Sequence, residues 1–262
     1  MKQQLKHHIG SRIILVILLV ALIVYAGTTL YDVSQMPEGE AERKIWAYAK
    51  ENGLSYSDYP QQLIDLLRSN PETEKFVLEY PIAKDAVHTV DLSDMEVVDS
   101  VPLFMQWDQR WGYMRYGSDM AAFTACGPVC LSMAAYYLTQ DPNFTPDRMI
   151  RFASDNGYYV PGSGSSWTLI SEGGEALGFD ITELPLDESR IRANLQLGIP
   201  IICVMGPGDF TTTGHFIVLT GYSDGMLQIN DPNSIARSQQ LWSYEQLKGQ
   251  IRNLWAVRIP EA

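Results

Sequence analysis

Residues 214–232 read GHFIVLTGYSDGMLQINDP, and the fold of the chain turns on them. His215 to Tyr222 and Met226 to Asn230 are apolar, β-branched runs separated by Ser223, Asp224 and Gly225, a turn signal. Pairing is therefore expected to centre near residue 224. His215 lies nine positions before that centre and Asp231 seven after it. Equal parity puts both side chains on one face of a hairpin, opposite or one diagonal step apart. That is the spacing a carboxylate needs to orient an imidazole and stabilise its charged form. Asp231 before Pro232 is also an ordinary turn opener, and both roles can be filled at a strand end. Asn230 and Asn233 are further candidates for the orienting residue.

Upstream, residues 124–128 read TACGP, where the chain turns into a helix. A thiol at a helix start faces unpaired N–H groups and the positive end of the macrodipole, which favours thiolate. Pro128 suits a first turn, and Gly127 lets backbone approach a substrate closely. Cys130, one turn deeper on the stripe with Met133 and Tyr137, reads as core, as does Cys203 in an Ile-Ile-Cys-Val run. His215 is the one histidine between residues 101 and 262; His7, His8 and His88 lie elsewhere. A developing oxyanion needs a polar donor, and Gln106 or Gln109 could supply it. The glycine-containing loops from Pro161 to Ser165 and Gly206 to Gly214 are candidate cleft walls.

Helices are expected within Phe123 to Thr139, Ser165 to Leu177 and Glu188 to Leu197, then strands at Ile199 to Met205 and Leu254 to Ile259. With the hairpin, these make an α+β domain over 101–262, helices packed on an antiparallel sheet. Residues 32–100 read as a membrane-proximal helical region and connector without chemistry of its own. Residues 1–31 place Lys2, Lys6 and Arg12 before the apolar run IILVILLVALIVYA of Ile13 to Ala26. This is the pattern of a signal peptide or a single N-terminal transmembrane helix, with the rest of the chain outside the cytoplasm. The protein would be anchored in the cell membrane, or secreted if the segment is cleaved.

The net charge of −12 excludes a nucleic-acid binder, since phosphate neutralisation needs clustered Lys and Arg. Three cysteines without paired spacing, and four scattered histidines, make neither a zinc site nor a disulfide framework.

Taken in order, Val101-Pro102-Leu103 through Gln106-Trp107-Asp108, Arg110-Trp111-Gly112, Cys126-Gly127-Pro128, Met133, Gly214-His215-Phe216 and Asn230-Asp231-Pro232 resemble the bacteriocin-processing (double-glycine leader) peptidase-like family. This family belongs to the papain clan, and the likeness is to its stand-alone surface branch, over about residues 101–258. The resemblance implies a papain-like fold with Cys126 as nucleophile, His215 as base, Asp231 as orienting residue and Gln106 as oxyanion donor. One departure stands out: in transporter-borne members the glutamine lies a few residues before the cysteine. Here an aromatic, glycine-containing insertion separates them, and position 120 is Met. The expected activity is hydrolysis of a peptide bond through an acyl-enzyme, on a peptide or protein substrate, without metal or organic cofactor. Two rivals are a peptidoglycan amidase or transpeptidase using the same residues, and an inactive papain-like surface binding module.

Overall fold

The computed structural model describes residues 14–28, 36–86, 90, 92 and 100–260. Its chain forms two compact units, Met1–Ile64 and Asp65–Ala262. In the first, residues 14–28 are helical and exposed, and a second helix, Glu40–Glu51, buries Ala41, Ile45 and Ala49 at the spacing of one face. No helix among the described residues is long and apolar enough to cross a membrane. The spanning helix expected within residues 1–31 is not found among the described residues, and the rest of that stretch, with His7 and His8, lies outside them. His88 lies outside them as well.

The second unit is α+β. Its helices include α1 (Cys126–Thr139), α2 (Pro146–Asp155), α3 (Thr168–Ala176), α4 (Glu188–Gln196) and α5 (Ile235–Gln239). Its sheet comprises β1 (Asp180–Glu183), β2 (Ile201–Met205), β3 (His215–Ser223), β4 (Met226–Asn230), β5 (Trp242–Ser243) and β6 (Ile251–Arg258). The strands are antiparallel in the order β1-β6-β2-β3-β4-β5. Strand alternation splits the apolar residues into two cores. Ile202, Val204, Phe216, Val218, Trp255 and Val257 pack with α1, whereas Ile201, Cys203, Met205, Ile217 and Leu219 pack with Ile191 and Leu195 of α4. Both faces of the sheet are covered, which is why β2 is buried at every position.

α2 and β1 were not anticipated. α2 starts at Pro146 after Thr145 and buries Met149, Ile150 and Ala153 in a pattern the sequence reading passed over. β1 is an edge strand of mostly exposed residues, so it carries no burial alternation.

The hairpin register holds the main structural surprise. Asp224 (φ 53°) and Gly225 (φ 80°) form the two-residue turn, pairing Ser223 with Met226 and Gly221 with Gln228. Continued unbroken, that register would place His215 and Asp231 on opposite faces. A β-bulge between Leu219 and Gly221 shifts the pairing by one, so Leu219 meets Ile229 and Val218 meets Asn230. Beyond the bulge the two side chains share a face, one diagonal step apart. The expected juxtaposition is correct, but the bulge produces it, not the turn alone.

Candidate active site

Cys126 is the first residue of α1, half-buried at the mouth of a cleft. A helix start leaves N–H groups without intrahelical partners, and Cys126 stands at that end of α1. Gly127 is required for a reason other than substrate access. A Cβ there would lie 2.7 Å from Ser165 Oγ, so the glycine admits the Gly164–Ser165 strand against the helix. Ser165 Oγ is in turn hydrogen-bonded to the buried Tyr116 hydroxyl at 2.7 Å.

His215 opens β3 and is 8% exposed; Asp231, just past β4, is fully buried. His215 Nε2 lies 2.7 Å from Asp231 Oδ1, which leaves Nδ1 as the ring nitrogen for Cys126. Burial disfavours the imidazolium. The Asp231 charge and hydrogen bond, joined by a hydrogen bond to Cys126, outweigh burial and carry the His215 pKa up to about 10. Burial likewise works against the Asp231 carboxylate. The charge and hydrogen bond of His215, the Arg237 cation and the Asn233 N–H together hold it below the usual carboxylate range. Asp231 Oδ2 accepts from Arg237 Nε at 2.5 Å, and Oδ1 accepts from Asn233 N at 2.8 Å. The other two orienting candidates are engaged elsewhere. Asn230 Nδ2 donates to the carbonyls of Val101 and Pro102, and Asn233 Oδ1 accepts from Asn70 Nδ2 at 3.3 Å.

Gln106 reaches the cleft despite the long separation from Cys126. Residues 115–120 form a small hairpin, Arg115–Tyr116 against Asp119–Met120. Ala121 N donates to Met114 O and Ala122 N to Gly112 O, closing the base of that excursion. The chain therefore re-enters beside its point of departure, and Gln106 Nε2 donates to Ala122 O at 2.7 Å. Gln106 is 4% exposed and its Oε1 is buried without a protein partner. One amide hydrogen of Nε2 remains for a group in the cleft. Gln109 faces away, donating to Glu79 Oε2 at 2.8 Å and to Tyr113 Oη.

The cleft has a volume of about 540 Å³. Gly162, Ser163, Gly164 and Trp167 form one wall, and Gly206, Pro207, Phe210 and Thr213 another. Both glycine-containing loops are thus where the sequence reading put them. Cys130 and Cys203 are fully buried. Burial raises the Cys130 thiol well above its ordinary range, with Cys126 and Asp231 adding to the effect, and burial raises Cys203 too. Among the described residues no cluster of His, Cys, Asp and Glu could hold a metal ion. The reading missed Arg237 and Ser238. A cation six positions past a carboxylate, returned to it by a short helix, leaves no periodic signature.

This layering, with thiol and imidazole presented to one cleft from a helix start and a strand start, defines the class: a papain-like cysteine peptidase. The chain belongs to the Peptidase_C39 like family, whose model matches residues 98–258. Among solved structures it is similar to the peptidase domain of Streptococcus ComA, a bi-functional ABC transporter involved in quorum sensing. That likeness has 19% identity, covers 61% of this chain and 99% of that one, and has a TM-score of 0.44. A putative C39-like peptidase from Bacillus anthracis is similar at 15% identity over 62% of this chain and 96% of that one, with a TM-score of 0.36. No curated protein sequence matches the chain.

Proposed function

We propose that this peptidase cleaves peptide bonds with Cys126 as nucleophile, His215 as acid–base, Asp231 as orienting carboxylate and Gln106 as oxyanion donor. The observation that carries the reading is the buried 2.7 Å bond between His215 and Asp231, facing the Cys126 helix start. The Cys126 thiolate attacks the scissile carbonyl carbon. Its oxygen becomes an oxyanion, held by the second amide hydrogen of Gln106 and the Cys126 N–H. His215 Nδ1–H then gives its proton to the leaving amine, and the C–N bond breaks to leave a thioester on Cys126. Water, losing a proton to Nδ1, attacks the thioester; the acid product leaves and the thiolate–imidazolium pair is restored. Asp231 keeps Nε2 as the donor to itself throughout, fixing ring orientation and stabilising the imidazolium.

Glycines along both cleft walls favour an extended peptide approaching backbone to backbone. The same reading puts the domain outside the cytoplasm, on the strength of Lys2, Lys6 and Arg12 before the apolar run. Protease accessibility of the catalytic domain in intact cells tests that location.

The mechanism is tested by digesting a peptide library with the purified full chain and its Cys126→Ala variant. Wild-type cleavage at defined bonds, absent from the variant, is the expected result. Equal cleavage by both removes the mechanism. A wild-type chain that cuts purified peptidoglycan and no library peptide assigns the chemistry to a wall amide instead.

A further inference from the structure

The segment after β4 reads DPNSIARS over residues 231–238 and returns on itself around the Asp231 carboxylate. Asp231 N donates to Ser238 Oγ at 2.9 Å, and Arg237 Nε donates to Asp231 Oδ2 at 2.5 Å. Both Arg237 and Ser238 belong to α5, a helix of five residues with little stability of its own. Something else must hold it in register.

That support comes from upstream of the family-matched residues 98–258. The Glu72 carboxylate accepts from Ser234 Oγ at 2.7 Å and Ile235 N at 2.6 Å, and more distantly from Ala236 N. These are the cap and the first two residues of α5. Asn70 Nδ2 donates to the Asn233 carbonyl at 2.7 Å, and its Oδ1 accepts from Glu72 N, fixing the carboxylate's own backbone. The upstream segment is itself tied down: Phe76 stacks on Tyr113 at 4.2 Å, the Tyr113 hydroxyl donates to Phe76 O, and Glu79 accepts from Gln109. On the cleft side, the Arg237 guanidinium lies over the Phe210 ring, part of the cleft wall.

We propose that Glu72 and Arg237 are positioning residues for Asp231, so that a segment upstream of the family-matched domain completes the catalytic site. This rests on the Asp231–His215 reading given above. Glu72 pins the start of α5; α5 holds Arg237 and Ser238 on Asp231; Asp231 aims the His215 ring at Cys126. Without Glu72 three donors lose their acceptor and the chain of contacts loosens at its first link. A ring displaced by about 1 Å can cost up to roughly a hundredfold in rate.

The test uses the full chain, a peptide that it cleaves, and the imidazole N–H proton resonance of the His215–Asp231 bond. Glu72→Ala is expected to lower kcat about tenfold or more with KM changed less than about twofold, and to broaden that resonance. Glu72→Gln, which keeps one acceptor oxygen, recovers part of the loss. Arg237→Gln removes a cation that holds Asp231 ionised, so the acid limb of its kcat/KM profile moves to higher pH; Arg237→Lys moves it less. Wild-type kcat per folded molecule in Glu72→Ala and Glu72→Gln, with an unmoved acid limb in Arg237→Gln, overturns the positioning role. If Glu72→Ala does not fold, Glu72→Gln and Arg237→Gln decide by the same criteria. An Asp231→Ala variant as active as wild type would instead remove the underlying triad reading.

Discussion

Replacing Asp231 by Asn removes one charge while leaving an oxygen where the His215 Nε2–H can still donate. The His215 pKa stands at about 10 against an ordinary value of 6.5, with Asp231 the leading group opposing burial. A gap of roughly 3.5 units corresponds to about 5 kcal/mol of preference for the charged imidazole, at about 1.4 kcal/mol per unit. In Asp231→Asn the larger part of that support is gone and only Cys126 still opposes burial, so the imidazole pKa should fall well below about 10. The sign for stability follows. A folded pKa above the unfolded one gives stabilisation that is fully present below about pH 6.5 and is lost as pH rises through about 10. Asp231, held low, stays ionised until pH falls through its depressed value. The difference in Tm between wild type and variant should therefore be widest between about pH 4 and 6.5 and close toward pH 10. The assay is an NMR titration of the imidazole resonances; four histidines make assignment by a His215→Gln variant direct. A wild-type His215 titrating near 6.5, or one still near 10 in Asp231→Asn, would refute the reasoning.

Three further outcomes are expected. Gln106→Ala should lower kcat by about 10²–10³ with KM little changed, because it removes one oxyanion donor; steady-state kinetics on a cleaved peptide measures this. Gly164→Ala should destabilise the domain by roughly 1–3 kcal/mol, since φ is +81° and a Cβ would sit 2.8 Å from Thr124 O. Gly162→Ala, at φ +73° in open space, should cost less in the same thermal unfolding experiment. Alkylation of the native chain should modify one thiol and of the denatured chain three, because Cys130 and Cys203 are fully buried; Cys126→Ala should leave no reactive thiol in the native state.

Those parts of the site that follow from local pattern are legible in the sequence. The helix start at Cys126 and the β3–β4 hairpin come from short-range spacing. The α+β class followed from the order of helical and strand-like runs. What the sequence hid is long-range. The bulge at Thr220, which gives the parity argument its correct outcome, is one extra residue inside an apolar run and has no signature there. Gln106 could not be told from Gln109 by spacing. Hydrogen bonds closing residues 113–120 at their base make that choice, as does Glu79 capturing Gln109. Residues 32–100 looked devoid of chemistry because Asn70 and Glu72 meet their partners more than 160 positions away. An apolar run with a basic flank suggested a spanning helix, yet no described helix reaches spanning length.

The central claim is that a thioester forms on the sulfur of Cys126 during turnover. Acid-quenching a reaction with a cleaved peptide within milliseconds, then mapping the protein by mass spectrometry, tests it most directly. The account predicts the acyl fragment of the substrate on the tryptic peptide bearing Cys126, absent from Cys126→Ala and accumulating when water attack is slowed in a His215 variant still able to acylate. Substrate turned over at full rate with Cys126 never acylated, or with the adduct on another residue, would contradict it.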